Sequence, residues 1–88
     1  MKSYYVIGGN FQPKSFPTLQ QAIAQGNRWD RSISARNPRT NAGVDAYVVS
    51  RDGDALEFRG LICGKQLIGQ NFGCGPAIVN RVRAAISL

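Results

Sequence analysis

Apolar positions along the chain follow two rhythms. Lys2–Gly9 (KSYYVIGG) and Val44–Cys63 (VDAYVVSRDGDALEFRGLIC) are runs rich in aromatic and β-branched residues, the composition and length of strands. Leu19, Ala22, Ile23 and Gly26, and later Ile78, Val79, Val82, Ala85 and Ile86, recur at three- and four-residue spacing, the stripe of an amphipathic helix.

The 44–63 stretch is the best defined. Folded about Asp52-Gly53 as a two-residue type I′ turn, it sets Arg51 opposite Asp54, Val49 opposite Leu56 and Tyr47 opposite Phe58. Ser50, Val48 and Ala46 then face Ala55, Glu57 and Arg59. One side is large and apolar, the other small or charged, which predicts a half-buried antiparallel ribbon.

Local signals bound the helices. Thr18-Leu19-Gln20-Gln21 is a capping-box pattern with Thr18 as N-cap, opening a helix that runs to about Arg28. Gly75-Pro76 opens the last helix, where proline at the first helical position forfeits no hydrogen bond. Residues Asn10–Pro17 read as a loop whose Phe11 and Phe16 tuck into the core edge, and Gly64–Gly73 as a glycine-punctuated connection. The segment Arg28–Gly43 (RWDRSISARNPRTNAG) has no strong period. Within it, Arg31–Arg36 reads as a short edge strand, or the whole as a flexible linker. The order β-α-(β)-β-β-α predicts one small α+β domain over 1–88: an antiparallel sheet of three to four strands with two helices packed on one face.

Charge changes the picture more than length does. The 88 residues carry 11 Lys and Arg against 5 Asp and Glu, a net of +6. Asp45–Arg59 holds four acids and two arginines, net −2, so the rest of the chain holds +8. Eight of the eleven bases are arginine, whose planar fork suits phosphate and carboxylate. That balance favours an anionic partner, nucleic acid or an acidic protein surface, rather than a membrane.

Candidate chemistry is thin. There is no histidine, which removes the commonest general base, and the carboxylates Asp52, Asp54 and Glu57 are accounted for by turn formation and exposure. The chain is therefore expected not to be an enzyme. Two cysteines, Cys63 and Cys74, are too few for a tetrahedral zinc site and read as buried thiols in a reducing cytoplasm. No cofactor or metal is expected. No apolar run is long enough for a signal h-region or a membrane span. Gly73-Cys74-Gly75-Pro76 resembles a phosphate-cradling turn but lacks a third glycine and a Lys-Ser/Thr pair, so it reads as structural punctuation.

The richest constellation is Arg28-Trp29-Asp30-Arg31 with Arg36 and Arg39: four arginines in twelve residues beside an indole and the amides of Asn27, Asn37 and Asn41. It combines phosphate-pairing groups with a stacking surface. Lys14, Lys65, Arg81 and Arg83 are further contacts. Against this stands the plainer reading that Trp29 closes the first helix against the core. The first expectation is thus a small non-enzymatic basic module contacting nucleic acid. The alternative is a small inhibitor or adaptor, of the kind phages and mobile elements use, docking on an acidic or nucleic-acid-handling host complex. An open sheet edge also offers a route to a homodimer.

Overall fold

The computed structural model describes residues 2–8, 11–31, 45–68 and 73–88. They form strands β1 (Lys2–Gly8) and β2 (Lys14–Phe16), helix α1 (Leu19–Arg31), strands β3 (Ala46–Asp52), β4 (Ala55–Cys63) and β5 (Gln66–Ile68), and helix α2 (Gly75–Ala85). The strands make a five-stranded sheet in the order β2-β1-β3-β4-β5, with every neighbouring pair antiparallel. The class is α+β, as expected, but with five strands rather than three or four.

The two helices do not share a face. Tyr4, Val6, Ala46, Val48, Ile62 and Leu67 pack with Leu19, Ala22 and Trp29 of α1. Tyr5, Ile7, Tyr47, Val49, Leu56 and Phe58 pack with Ile78, Val79, Val82 and Ile86 of α2. Consecutive strand residues point to opposite sides, so the sheet is sandwiched between the helices, correcting the two-layer expectation. The reason lies in β1 and β3: Tyr4-Tyr5-Val6-Ile7 and Ala46-Tyr47-Val48-Val49 are continuous rather than alternating apolar runs. Strands buried on both faces read that way. Val6, Val48 and Val49 are each 0% exposed.

The central hairpin forms, in a shifted register. Asp52 pairs with Ala55, Arg51 with Leu56, Ser50 with Glu57 and Val49 with Phe58, and an irregularity between Val48 and Val49 then brings Val48 opposite Gly60. The turn is Gly53-Asp54, not Asp52-Gly53. Gly53 takes φ +62 while Asp54 does not have positive φ, the pattern of a type II′ turn with glycine first. A type I′ turn would have forced Asp52 into the left-handed region, which Gly53 occupies without a steric penalty. The shift is by two residues in pairing, so the face assignment near the turn survives. Tyr47 and Phe58 still touch, with ring centroids 5.9 Å apart.

The same device recurs one strand later. Gly64, at φ +62, and Lys65 connect the pair Cys63–Gln66, turning residues expected to be a loose connection into β4-turn-β5. The loop expected over 10–17 likewise contains β2, whose Phe16 pairs with Tyr4. Both missed strands have three residues, too short for a period to show.

Helix α1 begins where its cap predicts. The Gln21 amide donates to Thr18 Oγ1 at 3.3 Å, and the Ala22 amide to the Thr18 carbonyl at 3.3 Å. The helix continues to Arg31, beyond the expected end at Arg28. Gly26 lies over β4: a Cβ there would overlap Ile62 Cδ1 and stand 3.2 Å from Ala46 Cβ. Glycine thus lets the helix settle onto the sheet. The strand expected over Arg31–Arg36 begins at the last residue of α1 and otherwise lies outside the described residues.

Candidate functional site

Trp29 faces inward. Only 6% exposed, it stacks on Phe11 with centroids 4.7 Å apart and planes 7° from parallel. Its position follows from helical spacing: Trp29 stands three and seven residues beyond Gly26 and Ala22, on the stripe that meets the sheet. The indole is therefore occupied by the core and not open as a stacking platform. The expectation that it works beside Arg28 at the surface is corrected.

Arg28, about 100° further round α1, is exposed, and its Nη1 donates to Oε1 of buried Gln25 at 3.4 Å. One residue earlier, Asn27 Nδ2 donates to the Gly64 carbonyl at 2.8 Å, a contact across 37 residues of chain. This bond ties the β4–β5 turn to α1, and exposed Lys65, the second residue of that turn, lines the same groove as Arg28. The groove, of about 410 Å³, is lined by Gln20, Ile23, Ala24, Asn27, Arg28 and Lys65. Five of these six are α1 residues at i, i+3, i+4, i+7 and i+8, one outer stripe of the helix. The groove lining combines two amides, Gln20 and Asn27, with aliphatic Ile23 and Ala24 and the cations Arg28 and Lys65.

A smaller hollow of about 230 Å³ adjoins it, lined by residues including Asn27, Asp45, Ile62 and Cys63. Asn27 forms the common wall. The hollow carries the acid Asp45, whereas the groove carries Arg28 and Lys65.

The other expected contacts do not converge there. Lys14 lies on β2, the sheet edge opposite to β5; four strand spacings separate the two edges, about 19 Å. Arg81 and Arg83 belong to α2 and so to the other face of the sheet. Arg81 lines a separate cleft with Ile7, Phe11, Gln12 and Pro13. Arg31 closes α1, while Arg36, Asn37 and Arg39 lie outside the described residues. Arg28 and Lys65 alone among the expected contacts meet at one groove within the described residues. Asn27 belongs to the amides of the expected constellation, whereas Gln20 and Ala24 carry no signal there and Ile23 reads from its spacing as part of the buried stripe. The available signal is the spacing of Gln20, Ala24, Asn27 and Arg28 along one outer stripe of α1, with Ile23 at its border with the buried one.

At the start of α2, Cys74 is the N-cap residue without a side-chain capping bond, and Gly75 sits against the Phe58 ring, where a Cβ would stand 3.3 Å from Cδ2. The chemistry at this end is packing. Burial first, and then hydrogen bonding with the Cys74 thiol, raises the Tyr47 phenol above its ordinary pKa of 10.0. The neutral phenol is the form the fold favours, so its contribution is fully present below pH 10 and is lost as pH rises beyond it. Tyr47→Phe is expected to remove that component, giving a shallower loss of thermal stability above pH about 10 than the native chain shows. An unchanged alkaline slope in melts across this range would refute it.

Both cysteines are free thiols. Cys63 is exposed rather than buried, because it ends β4 beside the turn; Cys74 is half-buried. Among the described residues no cluster of three or more His, Cys, Asp or Glu is placed to hold a metal ion, and no helix is long and apolar enough to cross a membrane. Compared with known family models, curated proteins and solved structures, the chain has no match.

Proposed function

We propose that the protein is a small non-enzymatic binding module whose α1 groove receives an acidic surface of a partner protein, in the manner of an inhibitor or adaptor. The observation that carries this reading is a groove whose lining holds two cations, Arg28 and Lys65, together with aliphatic Ile23 and Ala24. Cations beside apolar side chains suit a partner offering carboxylates next to hydrocarbon, with the charges steering encounter and the apolar contact supplying burial.

Contact with nucleic acid is the second reading, supported by the net charge of +6. It has less support at this groove. Binding single strands draws on aromatic stacking as well as phosphate pairing, and Trp29 is withdrawn into the core.

Charge reversal at both cations tests the proposal. Arg28→Glu with Lys65→Glu should leave the melting temperature within a few degrees, since exposed substitutions change stability by about 0.5 kcal/mol or less. It should weaken capture of the partner from cell lysate by about tenfold or more. Nuclease treatment of that lysate separates the readings: a protein partner retained after nuclease supports the first, and binding that vanishes with the nucleic acid supports the second. Undiminished capture by the double variant would exclude the groove from either.

A further inference from the structure

We infer that a second binding site, for a phosphate monoester, lies at the β3–β4 turn and is built on Arg51 and Ser3. It is independent of the α1 groove: the Gly64-Lys65 turn that lines the groove follows β4, whereas the Gly53-Asp54 turn precedes it, nine strand residues away. A cleft of about 370 Å³ at this end is lined by Lys2, Ser3, Pro17, Arg51 and Gly53. What singles it out is the way half-buried Arg51 is held. Its Nε donates to the Gly53 carbonyl at 2.8 Å and its Nη1 to the Tyr5 hydroxyl at 3.2 Å. These bonds use two of the five N–H groups of a guanidinium. The other three, two on Nη2 and one on Nη1, have no partner among the described residues. A guanidinium clamped at two points has already given up the freedom that an ordinary surface arginine loses on binding, so its open donors are pre-organised. Ser3 is the ladder partner of Arg51, and the Cβ atoms of such a pair stand about 5 Å apart on one face.

The hairpin is acidic in sum, but strand alternation separates its acids from this cleft. Val48 belongs to the α1 core and Val49 to the α2 core, so Arg51 projects to the α2 side and Asp52 to the α1 side. Glu57 stands between Leu56 and Phe58 of the α2 core and so also projects to the α1 side, where Arg59 Nη1 is 3.7 Å from its Oε2. The residues lining the cleft include no acid and a second cation, Lys2. The donors select the ligand. A carboxylate has two oxygens, which the fork of one arginine fills. A phosphate monoester carries about −1.5 to −2 charges and three acceptor oxygens, leaving an oxygen for the Ser3 hydroxyl and charge enough for Lys2.

The test titrates the full chain with phenyl phosphate and with benzoate, matched in their ring, at low salt, following backbone amide and arginine Nε–H resonances by NMR. Phenyl phosphate should bind with a dissociation constant on the order of 1 mM and benzoate about tenfold more weakly, with shifts centred on Ser3, Arg51 and Gly53. Affinity for phenyl phosphate should rise as pH passes upward through about 6, where a monoester loses its second proton. Arg51→Gln should weaken it about tenfold or more. Arg51→Lys, which keeps the charge but not the fork, should weaken it severalfold. Tyr5→Phe removes one clamp and no charge, and about a threefold loss with a near-native melting temperature is expected of a positioning residue. A phosphoserine peptide that binds more tightly than phenyl phosphate would place the monoester on a protein, and one that binds more weakly would place it on a small molecule. Equal affinity for the two ring probes, or phenyl phosphate binding undiminished in Arg51→Lys, would overturn the inference by reducing the cleft to a general counterion surface. Shifts centred on Arg28 and Lys65 instead would overturn it in favour of the α1 groove. Partner capture through that groove is read by separate variants, so either site can fail without the other.

Discussion

Replacing Trp29 by alanine is expected to cost about 3–5 kcal/mol, the usual range for deleting a buried large aromatic side chain. Domains of this size have only about 5–15 kcal/mol in total, so the variant should be largely unfolded well below the melting temperature of the native chain. Two losses add. The indole leaves a hole among Val6, Ala22 and Val48, and Phe11 loses its stacked partner. Trp29→Phe keeps a ring and should recover part of the cost. Chemical denaturation followed by circular dichroism reads both variants. The result that would sink the core assignment is a Trp29→Ala chain with native stability and lost binding, the behaviour of a surface stacking residue.

Val48 gives the second large effect, because it separates a sheet covered on both sides from a half-exposed ribbon. On a ribbon with one wet face, Val48 would share that face with Glu57, and changing it would alter stability by about 0.5 kcal/mol or less. In the structure Val48 is 0% exposed beneath α1, beside Val6 and Ala22. Val48→Ala is therefore expected to cost roughly 1.5–3 kcal/mol. Val48→Asp should prevent stable folding near neutral pH, since a carboxylate there would be buried without a partner. Val49→Ala should cost a similar amount through the α2 core, where Val49 packs with Ile78 and Val82. A mild phenotype at one valine and a severe one at the other would mean that only one face of β3 is covered.

Much of the secondary structure was legible because it is set by neighbours in the chain. Thr18 caps α1 as its hydroxyl predicts, and Pro76 falls in the first turn of α2. The hairpin at 52–55 forms about its glycine. The errors have physical causes of their own. Glycine at the first central position of a two-residue turn satisfies type II′ as well as glycine at the second satisfies type I′, and the choice slid the pairing by two residues. The candidate site was legible only in pieces. Charge alone points to Arg28 and Lys65 as contacts, but equally to Lys14, Arg81 and Arg83, which lie at the other sheet edge or across the sheet. A charge count has no direction, and direction is what makes a site.

By itself, the sequence determined where α1, α2 and the longer strands β1, β3 and β4 lie, where α1 starts, and that the chain is basic, has no histidine and is of α+β class. Those properties follow from local periodicity, capping and composition, each acting over a few residues. The tertiary structure decided the rest. It placed α1 and α2 on opposite faces, because two continuous apolar strands at the centre of the sheet need cover on both sides. It turned Trp29 inward and fastened Gly64 to Asn27 across 37 residues. In doing so it brought Lys65 into the lining of the same groove as Arg28, an arrangement that depends on where two distant segments come to rest and that no local rule contains.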